Sequence, residues 1–319
     1  MPKDRAIAVL SRLGAPSLGV FRGRVAVEQG VTRDGGVEDS AAMTSQPMRA
    51  GFVGAGQMGA PMVRRLAAAG TPTTVYARRA EVRDEFAAEG LPTVSTLAEA
   101  AAGADVVIAC LYSDAQVLEV ALGDDGLIAS MEPGSVLALH TTGSPATAQR
   151  LAEAGAPRRV HVVDAPVSGG AHDIAAGRLT VMLGGEPDDV ERVRSVVAAY
   201  ADPIFVIGAL GTAQVVKLLN NALFAAHVEL VADAERVAGQ FGIDPVTLAT
   251  VIQASSGASN VMGLALRGGS IHQLVQGAGH YLAKDFAAVR AVTDELGVDL
   301  GVIRRAVEEG PVTFEGRDA

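Results

Sequence analysis

The clearest indication of a ligand-binding site in the sequence is a glycine-rich turn, Gly54-Ala55-Gly56-Gln57-Met58-Gly59. An apolar run at 49–53, typical of a buried strand, precedes the turn, and a stretch with helical spacing follows it. In that context Gly54 permits a tight turn, Gly56 lets the backbone approach a pyrophosphate, and Gly59 lets helix and strand pack closely. The N–H groups at the start of a helix attract phosphate. The turn therefore predicts a bound dinucleotide, the alternative being a glycine-rich turn with no ligand.

The end of the second predicted strand, 73–77, bears on which dinucleotide is bound. Strands at this place usually end in Asp or Glu when the ligand is NAD(H), because the acid bonds the ribose hydroxyls. Here Ala77 takes that place, and the guanidinium groups of Arg78 and Arg79 that follow it suit a 2′-phosphate. We expect NADP(H) to be preferred, with NAD(H) as the second choice. The alternative is that both arginines are solvated residues at the start of a helix, where cations are mildly unfavourable.

A lysine and an asparagine one helical turn apart form the second group. Lys217 and Asn221 lie in 212–240, where apolar residues recur at helical spacing, so the two side chains share one helix face. A lysine beside an apolar cleft can have a lowered pKa and exchange a proton with a substrate oxygen. Asn221 can hydrogen-bond the lysine or a substrate hydroxyl, and Asn220 is the weaker candidate for that task. The alternative is a set of ordinary polar residues on an amphipathic helix.

A third group, Ser168-Gly169-Gly170, follows a predicted buried strand at 160–164 and the rigid Pro166. Adjacent glycines leave backbone N–H groups free to surround a carboxylate, and the serine hydroxyl adds a further donor. We expect this loop to bind the acid group of a small carboxylic acid. The alternative is an ordinary turn between a strand and a loop.

The elements that must position these groups alternate between strand and helix patterns from 49 to about 207. Such alternation predicts a parallel, doubly wound α/β sheet of the Rossmann type. The predicted strands are 49–53, 73–77, 105–111, 135–139, 160–164, 179–183 and 203–207. The predicted helices between them are 57–69, 79–89, 97–102, 114–121, 146–154 and 187–199.

After Gly208 the pattern becomes helical throughout. The long segment 212–240 predicts one long helix, and no strand pattern follows it. Further helices are predicted at 245–254, 258–267, 271–275, 280–296 and 299–309. We therefore expect an NADP-binding Rossmann domain over 48–208 and an all-helical domain for substrate binding and dimerisation over 209–319.

Four segments together resemble the β-hydroxyacid dehydrogenase family, which includes 3-hydroxyisobutyrate dehydrogenase and tartronate semialdehyde reductase. The chain is more distantly similar to 6-phosphogluconate dehydrogenase. The resemblance covers about 49–310. It is carried by the cofactor turn at 51–62, by 164–170 with Gly177-Arg178-Leu179, by Gly208-x-x-Gly211-x-Ala213-x-x-x-Lys217-x-x-x-Asn221, and more weakly by Lys284-Asp285-Phe286.

This resemblance implies an NAD(P)-dependent oxidoreductase that interconverts a β-hydroxyacid and its semialdehyde by hydride transfer. It implies that Lys217 donates and accepts the proton, that Asn221 orients the substrate, and that the loop at 168–170 binds the substrate carboxylate. The cofactor contacts that it implies are Gly54, Gly56, Gln57, Met58, Gly59, Leu111, Thr142 and Lys284.

Three departures from the family pattern indicate a substrate pocket unlike that of the best-known members. Ala213 replaces a glycine, Tyr112 replaces a proline, and Leu139-His140-Thr141-Thr142-Gly143-Ser144-Pro145 stands where the family has Asp-x-Ser-Thr-Ile-Ser-Pro. An imine reductase-like NADPH-dependent reductase is one alternative, and a non-catalytic dinucleotide-binding interaction protein is another. Lys217, which imine reductases generally lack, together with the intact loop at 168–170 argues against the first alternative. Retention of Lys217 and Asn221 argues against the second.

Composition excludes several classes of function. The chain has 319 residues, a formal net charge of −10 and no basic run, which argues against nucleic acid as a partner. Its single cysteine, Cys110, excludes an internal disulfide framework and favours a reducing cytoplasmic compartment. The six histidines show no metal-ligand spacing, so we expect no metal.

The sequence also bears on membranes, assembly and the amino-terminal segment. No charge-free apolar run of about 18 residues and no signal-peptide layout is present, so we expect no membrane association. Long apolar helices favour a homodimer or homotetramer. Residues 1–47 lack a sustained period, and we expect a disordered extension or translation starting at Met43 or Met48, the alternative being an arm that packs on the body.

Overall fold

The structure, a computed structural model, describes residues 47–312, apart from the side chains of 277–282, Lys284 and Leu296. Except for Pro47, the extension expected over 1–47 lies outside the described residues. The chain divides into two compact units. The first runs up to Thr141 and resumes from Pro145 to Ala213, and the second combines Thr142–Ser144 with the chain from Gln214 onward.

The first unit is built on one sheet, whose strands in chain order are β1 Ala50–Val53, β2 Thr73–Tyr76, β3 Thr93–Val94, β4 Val106–Ala109, β5 Val136–Leu139, β6 His161–Asp164, β7 Val167–Ser168, β8 Leu179–Gly184 and β9 Ala201–Gly208. Its helices are α1 Gly59–Ala68, α2 Ala80–Ala88, α3 Leu97–Ala101, α4 Asp114–Ala121, α5 Leu127–Ser130, α6 Pro145–Gly155, α7 Ala171–Ala175 and α8 Pro187–Val197. A 3-10 turn, Ala156–Arg158, follows α6.

The strand order is β3-β2-β1-β4-β5-β6-β8-β7, with β9 beside β8. The strands from β3 to β6 in this order run parallel, which confirms the predicted Rossmann arrangement. The sheet is mixed, however, because β8 pairs antiparallel with β6 and β7. The segment between β6 and β8 holds only β7 and the five-residue α7, and the chain reverses between β7 and β8 rather than crossing over to a parallel strand.

Both faces of the sheet are buried, as a doubly wound fold requires. Alternate residues of each strand point to opposite faces, so Phe52 and Ile108 belong to one apolar core, and Val53 and Val107 belong to the other. Helices α1 and α8 contribute to the first core through Met62, Leu66, Val193 and Val197. Helices α4 and α6 contribute to the second through Val117, Ala121, Ala148 and Leu151.

The second unit is helical throughout its described part, as predicted. Its helices are α9 Thr212–Gln240, α10 Pro245–Gln253, α11 Asn260–Gly268, α12 Ile271–Leu296 and α13 Val302–Glu309. The prediction of separate helices at 271–275 and 280–296 is wrong, because α12 is continuous through Gly277 and Gly279. Short elements also escaped prediction, namely β3, β7, α5 and α7.

Helix α9 differs from the other described helices in being long and apolar enough, by length and composition, to cross a membrane. Its most apolar 18-residue window has a mean hydropathy of 1.4, and half of that window is buried within the protein. The core helix of a soluble protein meets the same criterion.

Candidate active site

The glycine turn lies between β1 and α1, and each glycine has a distinct environment. Gly54 has φ of 102°, and a Cβ there would collide with the carbonyl oxygen of Cys110. A Cβ on Gly59 would collide with the carbonyl oxygen of Gly54. A Cβ on Gly56 would have no protein atom within 4 Å. Gly54 and Gly59 are therefore required by the fold, whereas Gly56 borders open space that a pyrophosphate fits.

The start of α1 suits an anion. No Asp or Glu lies in its first turn, and Met58 at the N-cap makes no side-chain hydrogen bond to the helix. The positive end of the helix dipole is therefore not neutralised by an acidic side chain of that turn.

Leu111 lies beside this turn, as a cofactor contact should. Its Cδ2 would lie 3.2 Å from a Cβ on Gly54. Thr141 holds it in place, since the Leu111 N–H donates to Thr141 Oγ1 at 3.0 Å and that hydroxyl lies 3.0 Å from the Leu111 carbonyl oxygen. The structure thus joins the ends of β4 and β5 beside the glycine turn.

Arg78 and Arg79 follow β2, and both side chains are exposed. A third arginine, which sequence reasoning missed, holds the same turn. Arg83 donates through Nη1 to the carbonyl oxygens of Ala77 at 2.7 Å and Arg78 at 3.0 Å. Arg78 and Arg79 leave two exposed guanidinium groups at this turn, and the small buried Ala77 stands where an acid would bind a ribose. This donor set fits a 2′-phosphate.

The loop at 168–170 offers fewer free donors than its sequence indicates. Ser168 pairs with Thr180 across the β7–β8 ladder, and its side chain is half-buried. Gly169 has φ of 131°, which requires glycine. The N–H of Gly170 donates to Asp173 Oδ2 at 2.9 Å, so that amide is already satisfied. Within this loop, the hydroxyl of Ser168 and the N–H of Gly169 are the donors that could contact a ligand.

A buried histidine fixes the chain that leads into this loop. His140 Nδ1 lies 2.7 Å from the carbonyl oxygen of Ala165, and Nε2 lies 2.7 Å from the hydroxyl of Tyr200. A carbonyl only accepts, so Nδ1 carries the proton and Nε2 accepts from the tyrosine. Burial lowers the pKa of His140 to about 4 and raises that of Tyr200. The ring is therefore neutral near pH 7.

A buried acid anchors the chain just before α9. Asp164, at the end of β6, is fully buried, and its Oδ1 accepts the N–H of Gly211 at 2.7 Å. A Cβ on Gly184 would collide with the same oxygen. Ala213, which departs from the family's glycine, is also fully buried. The segment 208–213, which belongs to the family motif, is therefore held in place at the start of α9.

Helix α9 carries a buried polar face in the second unit. Lys217 and Asn221 are each only 8% exposed, and Gln214 is 2% exposed. Asn220 is exposed and donates through Nδ2 to Asn221 Oδ1 at 3.2 Å. Among the described side chains, Asn221 Nδ2 is one of two buried polar atoms without a hydrogen-bond partner. A buried donor of this kind calls for an oxygen from a ligand.

Thr142 belongs to the same unit as this polar face. It lies in Thr142–Ser144, where the buried N–H of Gly143 donates to Gln214 Oε1 at 3.0 Å. Thr142 therefore directly precedes a residue that is hydrogen-bonded to the buried polar face of α9. Lys284 lies in α12, and its side chain lies outside the described part of the chain. Among the described residues no group of His, Cys, Asp and Glu could hold a metal ion.

Comparison with known proteins gives two matching family models that together span nearly the whole described chain. Residues 49–208 match the NAD binding domain of 6-phosphogluconate dehydrogenase. Residues 211–309 match a domain described as the NAD-binding domain of NADP-dependent 3-hydroxyisobutyrate dehydrogenase.

Individual relatives agree with these matches. An NAD-dependent L-serine dehydrogenase of Pseudomonas aeruginosa is 36% identical over 206 residues, which are 65% of this chain and 69% of the relative. A 3-hydroxyisobutyrate dehydrogenase of the same organism is 33% identical over 213 residues, 67% of this chain and 72% of the relative. The solved structure of Mycobacterium tuberculosis 3-hydroxyisobutyrate dehydrogenase with L-serine has a TM-score of 0.74 at 25% identity, covering 82% of this chain and 92% of that one.

Proposed function

Because the chain belongs to the β-hydroxyacid dehydrogenase family of NAD(P)-dependent oxidoreductases, we propose that it interconverts a short β-hydroxyacid and its semialdehyde, with NADP(H) preferred. The observation that carries this proposal is the pair Lys217 and Asn221. Both are buried one turn apart on α9, and Asn221 Nδ2 lacks a partner. A lysine and an amide so placed fit a hydroxyl oxygen that must gain or lose a proton.

The roles follow from the chemistry of these groups. A dinucleotide held at the glycine turn would supply the hydride chemistry, at the carbinol carbon in oxidation and at the carbonyl carbon in reduction. Lys217, neutral in the oxidation direction, takes the hydroxyl proton, and in reduction the ammonium form returns it. Asn221 donates through Nδ2 to the same oxygen and so orients the carbon that reacts.

The substrate class follows from the loop at 168–170 and from the relatives. L-Serine and 3-hydroxyisobutyrate, which the names of the relatives carry, both have a carboxylate and a hydroxyl on the third carbon. Ser168 and Gly169 supply donors for such a carboxylate. Asp173 satisfies Gly170 and places a negative charge nearby, so we propose that Ser168 contributes most to carboxylate binding.

The preference for NADP(H) rests on the turn after β2. One relative is named NAD-dependent, so family membership alone does not decide between the two dinucleotides. The absence of an acid at Ala77 and the exposed guanidinium groups of Arg78 and Arg79 support NADP(H).

The test is a panel of β-hydroxyacids assayed with NADP⁺ and NAD⁺ in parallel on wild type and Lys217→Met. We expect oxidation of at least one hydroxyacid, faster with NADP⁺, and a loss of about 10²–10⁴ in kcat for the variant because its proton acceptor is gone. NADP⁺ affinity, measured by calorimetry, should stay unchanged.

Arg236→Met is the matched control, because it also replaces a cation on α9 with Met, at an exposed ion pair with Asp233. It should retain wild-type turnover. Unchanged turnover in Lys217→Met with intact NADP⁺ binding would contradict the role of the lysine. Faster reduction of cyclic imines than of semialdehydes would contradict the substrate class.

A further inference from the structure

A third polar residue extends the buried face of α9 by one turn toward its start. Gln214 is 2% exposed, and positions 214, 217 and 221 lie on one side of a helix because they are three and four residues apart. Glutamine is rarely buried unless its amide is hydrogen-bonded. Its burial therefore requires a specific partner.

That partner is the backbone of Thr142–Ser144. Gln214 Oε1 accepts the N–H of Gly143 at 3.0 Å across 71 positions of sequence. Gly143 is buried, so its N–H cannot turn to water, and a buried amide without a partner costs about 1–3 kcal/mol. The carboxamide of Gln214 thus ties this short segment to the helix face that carries Lys217.

We propose that Gln214 is a positioning residue for the reaction, holding Thr142–Ser144 against α9 so that the Thr142 hydroxyl keeps a fixed place relative to Lys217 and Asn221. This inference rests on the proposed function for its effect on turnover. Its structural part, the bond between Gln214 and Gly143, holds independently of any activity. Gly143 and Gln214 both belong to the second compact unit, so the contact lies within a single unit.

Two substitutions separate positioning from simple packing. Gln214→Met keeps the length and helix propensity of the side chain but removes the acceptor for Gly143. Gln214→Glu keeps an acceptor oxygen and adds a negative charge one turn from Lys217, which raises the pKa of that lysine. A side chain that only fills space would leave the exchange of the Gly143 amide unchanged in Gln214→Met.

The first measurement is residue-resolved amide hydrogen exchange. We expect the Gly143 amide to be protected in wild type and in Gln214→Glu. In Gln214→Met it should exchange about 5- to 100-fold faster, as the loss of one such hydrogen bond predicts, while amides in the middle of α9 stay protected. Protection of Gly143 in Gln214→Met would overturn the proposed contact.

The second measurement is steady-state kinetics. In Gln214→Met we expect kcat to fall about 10- to 100-fold, since a displacement of about 1 Å at a reacting centre has effects of this size, with KM for the hydroxyacid changing less than kcat. In Gln214→Glu we expect kcat at the optimal pH to recover. The acid limb of the pH profile for hydroxyacid oxidation should move to higher pH, because the lysine must be neutral to accept a proton.

These outcomes keep the two proposals apart. Wild-type kcat in Gln214→Met, or a pH profile unmoved in Gln214→Glu, would overturn the positioning role while leaving the proposed function in place. Inactivity of the wild type toward every hydroxyacid would overturn the proposed function, and the exchange of the Gly143 amide would still decide whether Gln214 holds the segment.

Discussion

At the scale of single residues, we propose that the exposed pair Arg78 and Arg79 selects NADP(H) over NAD(H). The only group that distinguishes NADP(H) from NAD(H) is the 2′-phosphate, and charge-assisted hydrogen bonds to such a group are worth about 1.5–3 kcal/mol. Replacing both arginines by serine should therefore raise KM for NADPH at least tenfold and leave KM for NADH almost unchanged. Parallel kinetics with the two cofactors measure this directly.

Arg305→Ser is the control for that experiment, since Arg305 is an exposed arginine on α13, in the other compact unit. It should alter neither constant. Equal effects of the double substitution on NADPH and NADH would contradict the assignment, because they would show that the arginines act on the shape of the turn. Arg83, which bonds two carbonyl groups of that turn, is the residue whose loss should affect both cofactors alike.

At single residues, the sequence indicates a candidate site where the signal is local. The glycine turn and the one-turn spacing of Lys217 and Asn221 are visible in the sequence because each is contained in a few consecutive positions. The role of Gln214 is not, because its partner Gly143 lies 71 positions away. Asp173 escaped notice although its spacing carries a local signal, since it stands three residues after Gly170, where an acid accepts the N–H of the residue that caps a helix.

At the scale of elements, His140 links the end of β5 to residues next to two other strands, β6 and β9. It binds the carbonyl of Ala165, which follows β6, and the hydroxyl of Tyr200, which precedes β9. Burial lowers its pKa from 6.5 to about 4 in the folded protein, whereas the unfolded chain keeps the ordinary value. Between these pH values the unfolded state binds more protons, so stability falls as pH falls from 6.5 toward 4.

This histidine should therefore account for a loss of about 3 kcal/mol in the free energy of unfolding between pH 7 and pH 4. Urea unfolding at several pH values on wild type and His140→Gln measures it, and the variant should show a correspondingly shallower dependence on pH. His272→Gln, the same change at an exposed site, should leave the slope near that of wild type. Parallel slopes for wild type and His140→Gln would contradict the account.

Elements were predictable in proportion to their length. The core parallel strands and α9 repeat their apolar pattern often enough to be recognised. Strands β3 and β7 have two residues each, too few to show alternation, and they form because neighbouring strands offer them hydrogen bonds. Helix α12 continues through Gly277 and Gly279, although glycine is a poor helix former.

At the scale of the whole molecule, helix α9 leaves an apolar stripe uncovered. The stripe consists of residues between 38% and 57% exposed, namely Val216, Leu219, Leu223, Leu230 and Val237. Its members recur at intervals of three, four and seven residues, the spacing with which one helix packs along another. Four of its members, at 216, 223, 230 and 237, repeat every seven residues. The apolar residues of one copy can therefore lie opposite those of a second copy.

We propose that this stripe packs against the same stripe of a second copy, because a self-complementary surface favours twofold pairing. Leu223→Glu and Leu230→Glu should each place a charge in the contact and shift the protein toward monomer, as light scattering after gel filtration measures. Val302→Glu, at an exposed valine of α13, should keep the wild-type mass. A wild type that is monomeric at all concentrations would contradict this pairing. Sedimentation of the wild type with lipid vesicles, lost in Leu223→Glu, would show that the stripe binds a lipid surface instead of a second copy.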